Sequence, residues 1–181
     1  KALKKYNIDL FFSPDGYYTE GPYYTRYAIL PYIVFANALN NSNPSLKIFE
    51  HRNRILQRAL NTCLQQTNID GAFFPFNDAL KEKDYTSNEL VTAINISWNV
   101  YGPDDNALFV AKKQNRVMLN NGGTGIAAAL AKNKNIPAYF NYKSFESGDG
   151  VDGKDGGVSI FRTGKNKDLT SLLFKYTSHG L

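Results

Sequence analysis

The hydrophobic pattern of this chain changes period once, near Pro137, and that change limits the fold more than any other feature. Before it, apolar residues recur at helical spacing. Ile48, Phe49, Ile55, Leu56, Leu60, Cys63 and Leu64 form one such series, and Leu90, Ile94, Trp98 and Tyr101 form another. After it, Gly157–Arg162 and Leu169–Tyr176 read as strands joined by a hairpin loop over Thr163–Asp168. The expected fold class is mainly α with a β C-terminal part, the boundary lying between residues 1–136 and 137–181. Serial amphipathic helices of this kind suit a helical toroid and a bundle equally.

Punctuation places the individual helices. Gly21-Pro22 starts a helix predicted to run to about Asn40, with Pro31 kinking it. Ser45 is placed to cap a helix from Leu46 to Gln66, and Thr86 or Ser87 to cap one that ends at Gly102-Pro103. A shorter helix starts at Asp104 or Asp105. Asn120-Asn121-Gly122-Gly123-Thr124-Gly125 precedes an Ala-rich helix over Ile126–Ala131. That Gly-rich turn lacks the spacing of a nucleotide loop, so close packing of a helix end is the better reading. Glu146–Gly157 reads as a solvated loop. Its acids Asp149, Asp152 and Asp155 are spaced by three, without the closing Glu of a calcium loop.

Hydrophobic residues make up 43% and charged residues 20%, enough for a packed core. The net charge of +5 favours anionic partners. Lys and Arg are nevertheless scattered, with no run resembling a nucleic-acid arm, so no nucleic-acid partner is expected. One cysteine, Cys63, excludes an internal disulfide framework and reads as a buried hydrophobe. No apolar run in these residues has membrane-spanning length and none reads as a signal peptide, neither of which decides location for a piece of a longer protein. The chain opens in mid-pattern and closes directly after a strand pattern, and is read as a piece of a longer protein.

Ser13–Tyr27 packs five tyrosines, two acids and an arginine around a Ser13-Pro14-Asp15-Gly16 turn and the helix start at Gly21-Pro22. Phenols offer an apolar face and a hydroxyl together, a combination suited to sugar rings. Asp15 and Glu20 are the only acids in the stretch. They lie five residues apart, which gives no reason to place them across a substrate as a glycosidase pair.

The run Asp15-Gly16-Tyr17-Tyr18-Thr19-Glu20-Gly21-Pro22-Tyr23-Tyr24-Thr25-Arg26-Tyr27 resembles a motif of the heparinase II/III-like polysaccharide lyases. Its Glu-Gly-Pro-Tyr-Tyr form is most similar to the branch holding oligoalginate lyases and heparin/heparan sulfate exolyases. Gly156–Arg162 and Leu172–Leu181 resemble the lead-in to that family's β-sandwich. The resemblance implies the end of an incomplete (α/α) toroid followed by the first strands of an antiparallel β-sandwich. It implies β-elimination on a uronate sugar of an acidic polysaccharide or oligosaccharide, and a periplasmic or secreted location.

By the same resemblance Tyr24 is the proton donor, with Tyr23 one register away. Glu20 would orient that phenol or a sugar hydroxyl, or face the helix dipole. Arg26 would bind a carboxylate, or form a surface salt link. Tyr27 and His179 complete the substrate side. The family's His-x-His-x-Asp signature, source of a catalytic histidine and of a zinc or other divalent metal site in some members, is not met before Leu181. No cofactor is therefore expected within these residues, and the segment alone is expected to be inactive. Oligomeric state is left open. The alternative reading is a non-catalytic carbohydrate-binding or scaffold module of the same fold.

Overall fold

A computed structural model describes residues 11–76, 79–132 and 136–177 of the 181-residue chain. Among them are five α-helices and three strands: α1 Pro22–Ser42, α2 His51–Gln65, α3 Asn88–Tyr101, α4 Asp105–Gln114, α5 Asn121–Lys132, β1 Phe145–Gly148, β2 Gly156–Thr163 and β3 Thr170–Thr177. The mainly α chain with a β part at its C-terminal side is thus observed.

Helix α1 begins with Pro22 at its first turn, where a missing N–H costs nothing. It continues through Pro31 and ends two residues beyond the predicted Asn40. Its buried stripe, Ala28, Ile29, Ile33 and Ala36, packs on α2 and α3. Helix α3 is the central element, with Leu90 and Ile94 wholly buried, and it also packs on α5. Gly102 ends α3 at φ 93°, a conformation in which a side chain would be strained. Asp104 caps α4 by accepting a hydrogen bond from the Ala107 N–H at 2.7 Å, as its position predicts.

Three expectations need correction. The helix predicted from Leu46 is broken: 3₁₀ turns at Pro44–Leu46 and Ile48–Glu50 come first. Left-handed dihedrals at Arg52, Asn53 and Arg54 then delay regular helix until Ile55. Ser45 does not cap, because its hydroxyl donates to Asn43 Oδ1 at 2.5 Å. Second, α5 starts at Asn121 and takes in the glycines. Asn120 Oδ1 accepts from the Gly123 N–H at 2.8 Å, serving as the cap. A Cβ on Gly122 would sit 2.7 Å from the Asn95 carbonyl carbon, so the glycines do allow close approach of α5 to α3. Third, Glu146–Gly148 is part of a strand rather than a loop.

The strands form an antiparallel meander in the order β1-β2-β3. Val158 and Ile160 face inward and pack on Tyr17 and Phe76. On the opposite face Phe161, Leu172, Phe174 and Tyr176 are exposed. Register explains the division, since Ile160 pairs with Leu173 and Phe161 with Leu172. Phe140 joins the helical core against Phe109, their ring centroids 6.2 Å apart.

Arg162 fastens the sheet to the helices. Its guanidinium donates to the carbonyls of Gln65 at 2.6 Å, Lys143 at 2.8 Å and Thr67 at 3.1 Å, and covers the Tyr142 ring at 4.6 Å. Burial lowers its pKa to about 10, which still leaves it charged at neutral pH. No helix among the described residues is long and apolar enough to cross a membrane.

Candidate functional site

The tyrosine stretch is anchored before it reaches α1. The Gly16 N–H donates to the Ser13 carbonyl at 2.9 Å, closing the predicted turn. Gly16 has φ 85°, and a Cβ there would sit 2.5 Å from the Arg58 carbonyl carbon, so the turn lies directly on α2. Arg58 Nη1 donates to the Pro14 carbonyl at 2.8 Å, and Thr62 Oγ1 to the Asp15 carbonyl at 2.9 Å. On the sheet side, the Gly148 N–H donates to Asp15 Oδ2 at 3.2 Å, and the Thr19 hydroxyl donates to Asp149 Oδ1.

Asp149 was expected in a solvated loop and is instead buried. Its Oδ1 also accepts from the Gly150 N–H at 2.7 Å, and its Oδ2 has no partner among the described residues. Burial, reinforced by this carboxylate, pushes the Tyr17 phenol above its ordinary value. Burial lowers the Lys175 ammonium, and Asp149 partly offsets that shift. Asp149 cannot be found from its spacing, because its partner Thr19 is 130 residues away.

The five phenols separate into three environments. Tyr17 is buried against the sheet. Tyr18 stacks on Phe11 with ring centroids 4.7 Å apart, and its hydroxyl donates to Glu20 Oε2 at 2.7 Å. Burial first and Glu20 second raise the Tyr18 pKa, so this phenol stays protonated. Tyr23, Tyr24 and Tyr27 gather on the first turns of α1, with the Tyr23 and Tyr24 rings edge to face at 4.9 Å. Within that cluster Tyr23 is 6% exposed and Tyr27 46%, while Tyr24 is half-buried between them.

Arg26 is not a surface residue. It is 2% exposed, and its Nη1 pairs with Glu89 Oε1 of α3 at 3.0 Å. Its guanidinium carbon lies 3.8 Å from the Tyr27 ring centroid and 4.6 Å from that of Tyr23. Its Nε and Nη2 are buried and have no partner among the described residues. Beside it opens a cleft of ≈ 360 Å³ lined by Arg26, Tyr27, Lys83, Asp84, Glu89 and Arg116. The salt link expected at Arg26 therefore exists as a buried strut between α1 and α3, with Tyr27 on its outer side.

Glu20 lies outside the first turn of α1, and its carboxylate is taken by Tyr18 rather than Tyr24. Asp15 accepts from the Gly148 backbone and Glu20 from the Tyr18 hydroxyl, so each acid is engaged by its own partner. His179 lies outside the described residues. Among the described residues no three His, Cys, Asp or Glu side chains are placed to hold a metal. Glu89 and Asp149 are the residues that sequence reading missed; both act on the stretch through distant contacts.

No protein-family profile matches the chain. It is 44% identical over 174 residues, 96% of its length, to an exo-oligoalginate lyase of Saccharophagus degradans. It is 44% identical over the same length to an alginate lyase of Stenotrophomonas maltophilia. The aligned segment makes up 23% of each of these relatives, so the chain spans about a quarter of their length.

Proposed function

We propose that this chain is a segment of a polysaccharide lyase that cleaves uronate-containing chains by β-elimination, alginate being the substrate class. The carrying observation is the 44% identity to two proteins named alginate lyases, maintained along 96% of the chain. Membership of the heparinase II/III-like group, and action on heparin or heparan sulfate, rest on the motif resemblance alone. Two features support the wider architecture. Arg26 meets Glu89 near the starts of α1 and α3, while Asn37 and Asn41 share a pocket with Asn95 and Asn99 further along both. The two helices therefore run parallel, as alternate helices of an (α/α) toroid do. The exposed apolar face of Phe161, Leu172 and Phe174 suits the first sheet of a sandwich, with a second sheet covering it.

In this reading a base from another part of the protein takes the C5 proton of a uronate, the C4–oxygen bond breaks as a C4–C5 double bond forms, and an unsaturated sugar is released. Tyr24 donates the proton that the leaving oxygen takes up. Its ring stands on the helix start with Tyr23 behind it and Tyr27 beside it, and a phenol is neutral at working pH. Tyr23 is the weaker candidate because it is buried under the others. Arg26 acts as a positioning residue, holding Tyr27 by stacking and α3 by its ion pair. Glu20 fixes Tyr18 at the rim. The group that neutralises the uronate carboxylate, the catalytic histidine and any zinc or other divalent metal would come from other parts of the protein. On that view the segment alone is inactive, and the whole enzyme works in the periplasm or outside the cell, where it meets its polymer.

The test is Tyr24→Phe in the complete protein, followed by the absorbance of the unsaturated product. Loss of a proton donor predicts a fall of about 10²–10⁴-fold with an unchanged circular dichroism spectrum. Turnover at the wild-type rate would remove Tyr24 from the mechanism. Retained glycan binding by a wild-type protein without any elimination would support the binding-module alternative.

A further inference from the structure

The far half of α1 carries a second polar site. Asn37 and Asn41 on α1, Asn95 and Asn99 on α3, and Asn120 and Asn121 at the start of α5 line one cavity of ≈ 200 Å³. Each pair on α1 and on α3 is spaced by four residues, which places both amides of the pair on one helix face. Close approach of Gly122 to the Asn95 backbone brings the third pair into range. None of the lining side chains is charged, and Ile96 is the one large apolar residue among them.

Asn95 shows that this is more than a polar surface. It is 0% exposed, and its Oδ1 accepts from the Met118 N–H at 2.7 Å. That bond turns the amide so that Nδ2 is the remaining end, and Nδ2 has no partner among the described residues. A buried amide N–H without an acceptor is destabilising, which marks Asn95 as a polar group in the cavity wall that lacks its partner. The six amides carry no net charge, and with Asn95 Oδ1 and Asn120 Oδ1 already engaged by main-chain N–H groups they offer more donors than acceptors. That set matches vicinal hydroxyl groups, each of which both donates and accepts. A carboxylate or phosphate would find no cation in the lining to offset its desolvation.

We propose that this cavity binds an uncharged, hydroxyl-rich ring the size of one sugar residue. Asn37 lies 13 residues after Tyr24 on α1, about 20 Å along the axis at 1.5 Å per residue. The inference rests on the amide set alone and holds whether or not the tyrosine cluster is catalytic.

The experiment is saturation-transfer NMR on the complete protein, with mannose and glucose as neutral probes and mannuronate as the charged comparison. Saturable binding of a neutral sugar is expected, tenfold or more weaker in Asn37→Leu/Asn41→Leu and unchanged in Tyr24→Phe. Asn41→Asp, a milder change at an exposed position, is expected to weaken it as well. Absence of saturable binding overturns the proposal, as does binding insensitive to both Asn variants. Binding lost in Tyr24→Phe, or tighter for mannuronate than for the neutral sugars, would locate the contact elsewhere and equally overturn it.

Discussion

Arg162→Ala tests how the sheet is held to the helices. The guanidinium makes three hydrogen bonds to main-chain carbonyls, at 2.6, 2.8 and 3.1 Å, a weaker one to Gln65 Oε1 at 3.2 Å and another to Ser171 Oγ at 3.2 Å. A hydrogen bond to a charged group contributes about 1.5–3 kcal/mol, and the values do not add when several share one cation. Desolvation of that cation, visible as its lowered pKa, opposes part of the gain. Truncation also leaves the Gln65 and Thr67 carbonyls short of a donor. A loss of about 3 kcal/mol results, felt where β2 meets the end of α2. Because 1.4 kcal/mol is a factor of ten, main-chain amides of Val158–Arg162 should exchange about a hundredfold faster. Peptide-resolved hydrogen exchange on the complete protein reads this directly, with α3 as the internal control. Acceleration below about threefold, or equal acceleration in α3, would refute the idea that Arg162 is a local fastening. Arg162→Lys keeps the charge but not the planar fork, and should recover only a minor part.

Gly16→Ala combines a left-handed φ with a Cβ directed at α2 backbone that cannot move aside. A cost of about 3 kcal/mol is expected in denaturant titration, of which the dihedral accounts for about 1–2. Gly16→Asn relieves the dihedral but not the contact, so full recovery by Asn would show that the close approach to α2 is unimportant. Cys63 is wholly buried, and burial pushes its thiol from 9.0 up to about 12. Its folded value lies above its unfolded one, so the contribution to stability is complete below pH 9 and is lost as pH rises from 9 to 12. Native protein at pH 8 should therefore label at Cys63 at least a thousandfold more slowly than a free thiol, followed by peptide mass spectrometry. Rapid labelling would contradict the burial.

Much of the fold could be read from local chemistry. Gly-Pro, the Asp104 cap and the Gly102 stop each depend on neighbours a few residues away, and each is where the sequence places it. The region of 44–54 was misread because its apolar spacing continues the helical pattern of α2, while Pro44 and the left-handed Arg52–Arg54 interrupt the backbone. The Asp149 loop was misread for a different reason. Gly and Asp there meet the criteria for solvated chain, and the acceptor role of the carboxylate comes from a hydroxyl far away in sequence. At the site, crowding of phenols on α1 was legible from spacing. The pairing of Arg26 with Glu89 depends on tertiary geometry that no spacing rule contains, and that of Glu20 with Tyr18, two residues apart, on the path of the loop backbone.

The double attachment of the Ser13–Thr19 loop has an evolutionary consequence. Asp15 carries its main-chain carbonyl to α2 and its carboxylate to β1, and Thr19 reaches the loop after β1. A recombination event that exchanged the sheet for that of a relative, with a crossover near residue 140, would separate residues that must match. Productive chimeras of such proteins should therefore inherit the 13–19 loop and the β1–β2 connection from the same parent, although the whole helical region lies between them in the gene.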